Sequence, residues 1–179
     1  MIKRDKDVFI GQPIILLERD GTKRSGGITV VNDDEIKITI PLHPYTKKNS
    51  SEIHYKHAGG KRIPFVAPSG QYKKYAAECG FFLKPLNITS PVNIKTEFYM
   101  GTRRRVDLTN LNEAIHDILV ENGVLSDDNA LILVSTDGSR VYYDKKNPRT
   151  EIIITPADLT FEINAPKKGK NHSSRNTRA

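Results

Sequence analysis

The sequence predicts an α+β domain in which a mixed β-sheet carries two main helices. Three observations predict it. Residues 36–40 and 92–99 alternate apolar and polar side chains, as half-buried strands do. Residues 68–83 and 109–122 instead place apolar side chains three and four apart, the helical period. The chain has 179 residues, the length of one ordinary domain with room for tails.

The elements follow in order. Ile14-Ile15-Leu16-Leu17 is a short apolar run, Asp20-Gly21 and Gly26-Gly27 are turn signals, and Ile28-Thr29-Val30-Val31 follows. This predicts a β-hairpin across 13–31 with a loop too long for a tight turn. Ile36, Ile38 and Ile40 share one face of the next strand, and Pro41 and Pro44 stop it. Residues 42–64 read as a long polar loop, a length that suits a functional segment more than a passive connection. Pro68-Ser69 opens the first helix, which runs to about Leu83 and halts at Pro85. Tyr72, Tyr75, Ala76, Cys79 and Phe82 form its apolar side, which makes Cys79 a core residue. In the strand 92–99, Val92, Ile94, Thr96 and Phe98 share a side.

The second helix, 109–122, has the clearest stripe: Leu108, Leu111, Ile115, Ile118 and Leu119, with Gly123 as its stop. Asp107 or Thr109 is placed to cap its start. Residues 131–135, 141–143 and 151–155 read as three short strands. The chain thus divides into an N-terminal extension, 1–35, a central domain, 36–156, and a basic tail, 157–179. The last fifteen residues hold nothing to pack and are expected to be disordered.

Composition limits the partners. Lys and Arg number 28 against 21 Asp and Glu, a net charge of +7, which favours an anionic partner. The charge is segregated. Residues 36–106 carry thirteen basic and three acidic side chains, net +10, whereas 107–164 carry four and eleven, net −7. The switch falls between Arg105 and Asp107. Both signs beside one groove would suit a polyanion held on cations and worked on by a metal held on carboxylates. A solvated, segregated surface produces the same pattern. One cysteine excludes a disulfide framework and a cysteine-rich zinc site. No apolar run approaches a membrane span, and MIKRDKDVFI lacks the form of a signal peptide; the expected location is the cytoplasm.

Gly26-Gly27 and Gly59-Gly60 lack the spacing and the Lys-Ser/Thr of a phosphate loop. His54 and His57 have no cysteine partners for zinc. What remains is carboxylates: Asp107 before the second helix, and Asp127-Asp128 after it. Hard oxygen ligands at element ends commonly hold Mg²⁺, with substrate phosphates completing its shell. The same residues also serve as a helix cap and a polar turn. Arg103, Arg104 and Arg105 stand two to four residues before Asp107, where they would grip phosphates. Tyr45, Lys47, Lys48 and Asn49 mix an aromatic with cations, a composition suited to nucleic acid.

The ordered string RRRVDLTNLNEAIHDILVENGVLSDDNALI (103–132) resembles the core signature of the RusA-type Holliday junction resolvases. That pattern is an arginine-rich turn, D-x-D-N-L, a helix, a glycine and a D-D pair. ITIPLHPYTKKN (38–49), PFVAPSGQYKKYAAE (64–78) and residues 142–155 extend the resemblance, which covers about 36–156. It implies a homodimeric, Mg²⁺-dependent endodeoxyribonuclease, with Mn²⁺ as a substitute, that resolves branched DNA in a bacterium or its prophage. It also implies that Asp107 and Asp128 are metal-binding catalytic acids with Asp127 beside them. Two positions depart from the pattern: its second aspartate is Thr109, and a lysine one turn later is Glu113. Positions 109 and 113 are i,i+4 neighbours, so the Glu113 carboxylate reaches the same neighbourhood and is a further candidate catalytic acid. The alternatives are a branched-DNA-binding protein that does not cut, and a basic RNA-binding module.

One chain completes such a site only under a condition. A helix over 109–122 is about 21 Å long, and 123–128 spans at most about 20 Å when extended. The segment must therefore run back along the helix, burying Val124 and Leu125. Otherwise Asp107 of one subunit must meet Asp128 of the partner subunit.

Overall fold

The computed structural model describes residues 1–5, 12–17, 21–47 and 51–159. Strands β1 (Ile14–Leu17), β2 (Lys23–Asn32) and β3 (Glu35–Ile40) are followed by β4 (Ser51–Ala58) and β5 (Lys61–Pro68). Helix α1 (Gly70–Cys79) and the 3₁₀ turn Gly80–Phe82 lead to β6 (Val92–Met100) and helix α2 (Leu108–Glu121). Strands β7 (Leu133–Ser135), β8 (Arg140–Tyr143) and β9 (Arg149–Pro156) complete the order. Among the described residues seven strands form one mixed sheet, β1-β2-β3-β9-β6-β7, with β8 also paired to β6. Strands β7 and β8 run parallel to β6, and β9 lies antiparallel between β3 and β6. The expected α+β architecture is what the chain adopts.

The period-two patterns decide which face is buried. Ile36, Ile38 and Ile40 of β3, Ile152 and Ile154 of β9, and Val92, Ile94 and Phe98 of β6 all point into one core. Leu111, Ile115, Ile118 and Leu119 of α2, and Tyr72, Tyr75 and Cys79 of α1, belong to the same cluster. Burial pushes the Cys79 thiol up to about 12, as the helical period required of a core cysteine. Ile2 and Ile28 join this core, and Ile2 N donates to Asp33 O. The first strands are thus continuous with the sheet.

Three expectations change. The predicted loop over 42–64 contains β4 and the start of β5, an antiparallel hairpin with Gly59 and Gly60 at its turn, both at positive φ. It was hidden because Ile53 and Tyr55, and Ile63 and Phe65, alternate only once each and are exposed, so no buried face extends the pattern. Pro68 ends β5 and does not open a helix; α1 starts at Gly70, with the Ser69 hydroxyl accepting from Tyr72 N. The helix also stops at Cys79, four residues early, because the chain tightens into the 3₁₀ turn before Pro85. The N-terminal hairpin is present as β1 with β2, but β2 is longer than expected and pairs on its other edge with β3. Gly26 lies on β2 where a Cβ would collide with Pro41, Thr39 and Phe82, so the strand can pack there only on glycine. Residues 18–20 of that hairpin's loop, and 160–179 of the expected tail, lie outside the described residues. Among the described residues no helix is long and apolar enough to cross a membrane.

Candidate nucleic-acid and metal site

The site is built around α2. Asp107 is its N-cap: Oδ1 accepts from Thr109 N at 2.8 Å and from Asn110 N at 3.4 Å. The carboxylate is exposed, so the cap uses one oxygen and leaves the other facing solvent. The helix N-terminus also favours the negative charge. Thr109, the position of the missing second aspartate, is exposed in the first turn of the helix.

At the other end, Gly123 takes φ +67 and reverses the chain, a left-handed conformation suited to glycine after a helix. Val124 and Leu125 are then buried, Leu125 bridges to Ile88, and Ser126 N donates to Ile88 O. Val124 N and Leu125 N also donate to Leu119 O, so the chain folds back against the last turn of α2. It sets Asp128 close enough to His116 for its charge to act on that imidazole. Asp127 is held differently: its carboxylate accepts from Asn129 Nδ2 at 2.8 Å and Asn129 N at 3.2 Å. Those bonds, the side-chain one foremost, hold Asp127 below the usual carboxylate range.

His116 itself was not singled out by sequence, because position 116 flanks the apolar stripe and reads as its edge. It is buried, and Nε2 has no hydrogen-bond partner. Desolvation depresses its pKa to about 4, with the charges of Asp128 and Asp117 opposing the shift. One turn earlier, Asn112 Oδ1 accepts from Thr96 Oγ1 at 2.5 Å, tying α2 to β6.

The adjoining strip of α2 is acidic. Glu113, Asp117 and Glu121 recur at i,i+4 and all act on Lys47, whose ammonium is raised chiefly by its hydrogen bond to Asp117. That bond is 2.6 Å. Glu113 thus shares a helix side with the counterions of Lys47. Tyr45 packs obliquely between His43 and Tyr75, with ring centroids 5.2 and 5.7 Å away. Lys48 and Asn49 lie outside the described residues.

The arginine turn is exposed at all three positions. The Arg103 guanidinium sits 4.2 Å above the Tyr143 ring, and Tyr142 stacks on Tyr99 at 5.0 Å, with Arg149 over Tyr99 at 3.6 Å. In the sequence Tyr142 and Tyr143 read only as strand residues. Their signal was two adjacent aromatics on a strand with no apolar alternation.

Among the described residues no group of three His, Cys, Asp or Glu is arranged to hold a metal ion. The donors present nonetheless fit Mg²⁺ chemistry. Asp107 and Asp128 are exposed carboxylates, and Mg²⁺ is commonly bound by one or two carboxylates while water and substrate phosphates complete its shell. The structure thus places Asp107, Thr109 and the arginines at one end of α2 and Asp128 with His116 further along it. Lys47 is drawn to the acidic strip.

The sequence was compared with known proteins. The family described as Endodeoxyribonuclease RusA matches residues 33–155. No curated protein matches the chain.

Proposed function

The chain belongs to the RusA endodeoxyribonuclease family, and from that premise we propose that it is a divalent-metal-dependent endonuclease resolving Holliday junctions and related branched DNA. The observation that carries the reading is one of placement. Arg103–Arg105 run directly into a helix start capped by the exposed Asp107, and the return over 123–128 brings a second exposed acid, Asp128, alongside the same helix. The arginines thus adjoin the Asp107 carboxylate, and Asp128 lies further along the same helix beside His116.

In this reading Asp107 and Asp128 hold Mg²⁺ or Mn²⁺, with Asp127 beside them. A cation held there would supply charge neutralisation at the phosphate and a more acidic bound water. Arg103, Arg104 and Arg105 bind the phosphates flanking the scissile bond and fix its approach. Tyr143 beneath Arg103 limits the guanidinium's freedom, so less order is lost when it engages. Tyr45, Lys47, Lys48 and Asn49 contact the backbone further away. A four-way junction has two-fold symmetry, and a homodimer presents two sites related by the same axis.

A second reading has its own support. Thr109 offers only a neutral oxygen where the family pattern has its second aspartate, which favours a protein that grips branched DNA without cutting it. Incubation with an end-labelled four-way junction, with and without Mg²⁺, decides. Metal-dependent scission supports the endonuclease; a shifted but intact junction supports the binder; preference for RNA would sink both.

A further inference from the structure

The hairpin of β4 and β5 stands apart from the sheet. Its strands pair with each other over eight positions and form a sheet of their own. At about 3.4 Å per residue, each strand is about 27 Å long. Ile53, Tyr55, Ile63 and Phe65 are exposed on it, Ile53 by 67% and Tyr55 by 50%. An isolated two-stranded hairpin is at best marginal in water, and large apolar side chains on one are a recognition signal.

Its chemistry selects the occupant. The stretch 56–62 around the turn carries Lys56, Lys61 and Arg62 and no acidic residue. Register places Tyr55 opposite Pro64 and His54 opposite Phe65. Tyr55 and Phe65 therefore project from opposite faces of the ribbon. Arg62 lies 3.7 Å over the Tyr55 ring, and Phe65 tilts against His54 at 5.8 Å. Cations at the end of an arm with one ring on each face match DNA where strands part: phosphates converge there, and two helix ends expose base faces. An apolar protein surface would leave the three cations without counter-charges.

We propose that this arm is a branch-point wedge, with Tyr55 and Phe65 stacking on the bases exposed to either side of it and Lys56, Lys61 and Arg62 holding the converging phosphates. The proposal rests on the branched-DNA reading above and deepens it by assigning discrimination between junction and duplex to the arm. The arm follows Tyr45 and Lys47 in the chain and ends at Ser69, the cap of α1, so its base adjoins the candidate DNA surface.

The test compares the full chain with a Tyr55→Ala, Phe65→Ala double variant and a Lys56→Ser, Lys61→Ser, Arg62→Ser triple variant. Each is titrated without divalent metal against a labelled four-way junction and a linear duplex of the same sequence. A base–aromatic stack is worth about tenfold in affinity, so the double variant is expected to lose on the order of a hundredfold on the junction. Its duplex affinity should stay within about threefold, because a closed duplex offers no base face to the rings. The triple variant should lose affinity for both forms and show a flatter salt dependence. Both rings are exposed, so the melting temperature should not move.

An unchanged junction-to-duplex ratio in the double variant, with the wild type discriminating, overturns the wedge alone. A wild-type protein that does not discriminate overturns the branched-DNA reading and the wedge together. A change in oligomeric mass on mutating the two rings would show that the arm clasps a second copy, and also overturns the wedge.

Discussion

Lys47 Nζ lies 2.6 Å from Asp117 Oδ2, across a sequence separation of 70. This pair ties the segment before the arm to the middle of α2. It also neutralises a cation that the sequence assigned to DNA.

Asp117→Asn is therefore expected to strengthen DNA binding. It removes a negative charge from the helix and loosens the hold on the Lys47 ammonium, on which Glu113 and Glu121 still act. The slope of log affinity against log salt should steepen by about one. Both side chains are partly exposed, at 41% and 27%, so the stability cost should stay below about 1 kcal/mol. Weaker binding by this variant would mean that the pair serves chiefly to position the segment.

Asp107 caps α2 and, in the proposed reading, also holds the metal; substitution separates the two. Asn caps helices about as well as Asp, so Asp107→Asn should keep the melting temperature while abolishing metal-dependent cutting. Asp107→Ala should lose both, with a stability cost of about 1 kcal/mol. Asp128→Asn should likewise bind junctions without cutting them. Because 123–128 returns along α2, a mixture of Asp107→Asn and Asp128→Asn subunits is expected to stay inactive after exchange. Recovered nicking would show that each site is shared between subunits.

Glu113 is the acid one helical turn beyond the departure at Thr109. If it serves the metal, Glu113→Gln raises the Mg²⁺ concentration for half-maximal cleavage and Thr109→Asp lowers it. Its placement beside Asp117 and Glu121, acting on Lys47, gives it a second effect: Glu113→Gln should also raise DNA affinity slightly. A metal titration with a parallel binding curve separates the two. Identical metal requirements in all three proteins would remove Glu113 and position 109 from the ligand set.

His116 predicts a pH dependence of stability. Its folded pKa, about 4, lies below the ordinary 6.5. The unfolded chain therefore binds this proton first as pH falls, and stability is lost from about pH 6.5 down towards pH 4. Between pH 7 and pH 5 the loss is about 2 kcal/mol. Urea unfolding at the two pH values, compared with His116→Phe, checks it. The variant should lose that component of the pH dependence and gain stability at pH 5, since it also removes a buried nitrogen with no partner. Equal pH dependence in both proteins would place the imidazole in contact with water.

Much was legible in the sequence for a physical reason. Leu111, Ile115, Ile118 and Leu119, and Ile36, Ile38 and Ile40, repeat at the periods of helix and strand, and a buried face enforces that repetition. The string from Arg103 to Asp128 is contiguous, so the family and the candidate acids could be read from it directly. The hairpin of 51–68 was not read, because Ile53 with Tyr55 and Ile63 with Phe65 are alternations too short to mark a strand, and no buried face extends them. His116 was equally silent: its burial depends on what the chain after Gly123 packs against it.

The sequence by itself determined the α+β class, the order of its main elements, the segregation of charge at residues 105–107 and the family. Only the tertiary structure decided where those charges meet. Local pattern could not say whether 123–128 would turn back along α2, because that required the burial of Val124 and Leu125 against Ile88, contacts distant in sequence. Nor could it pair Lys47 with Asp117 or seat Arg103 over Tyr143. Such pairings depend on the sheet order, in which β9 inserts between β3 and β6 and β8 lies along β6. Strand order is set by the sum of non-local burial, which no single segment carries.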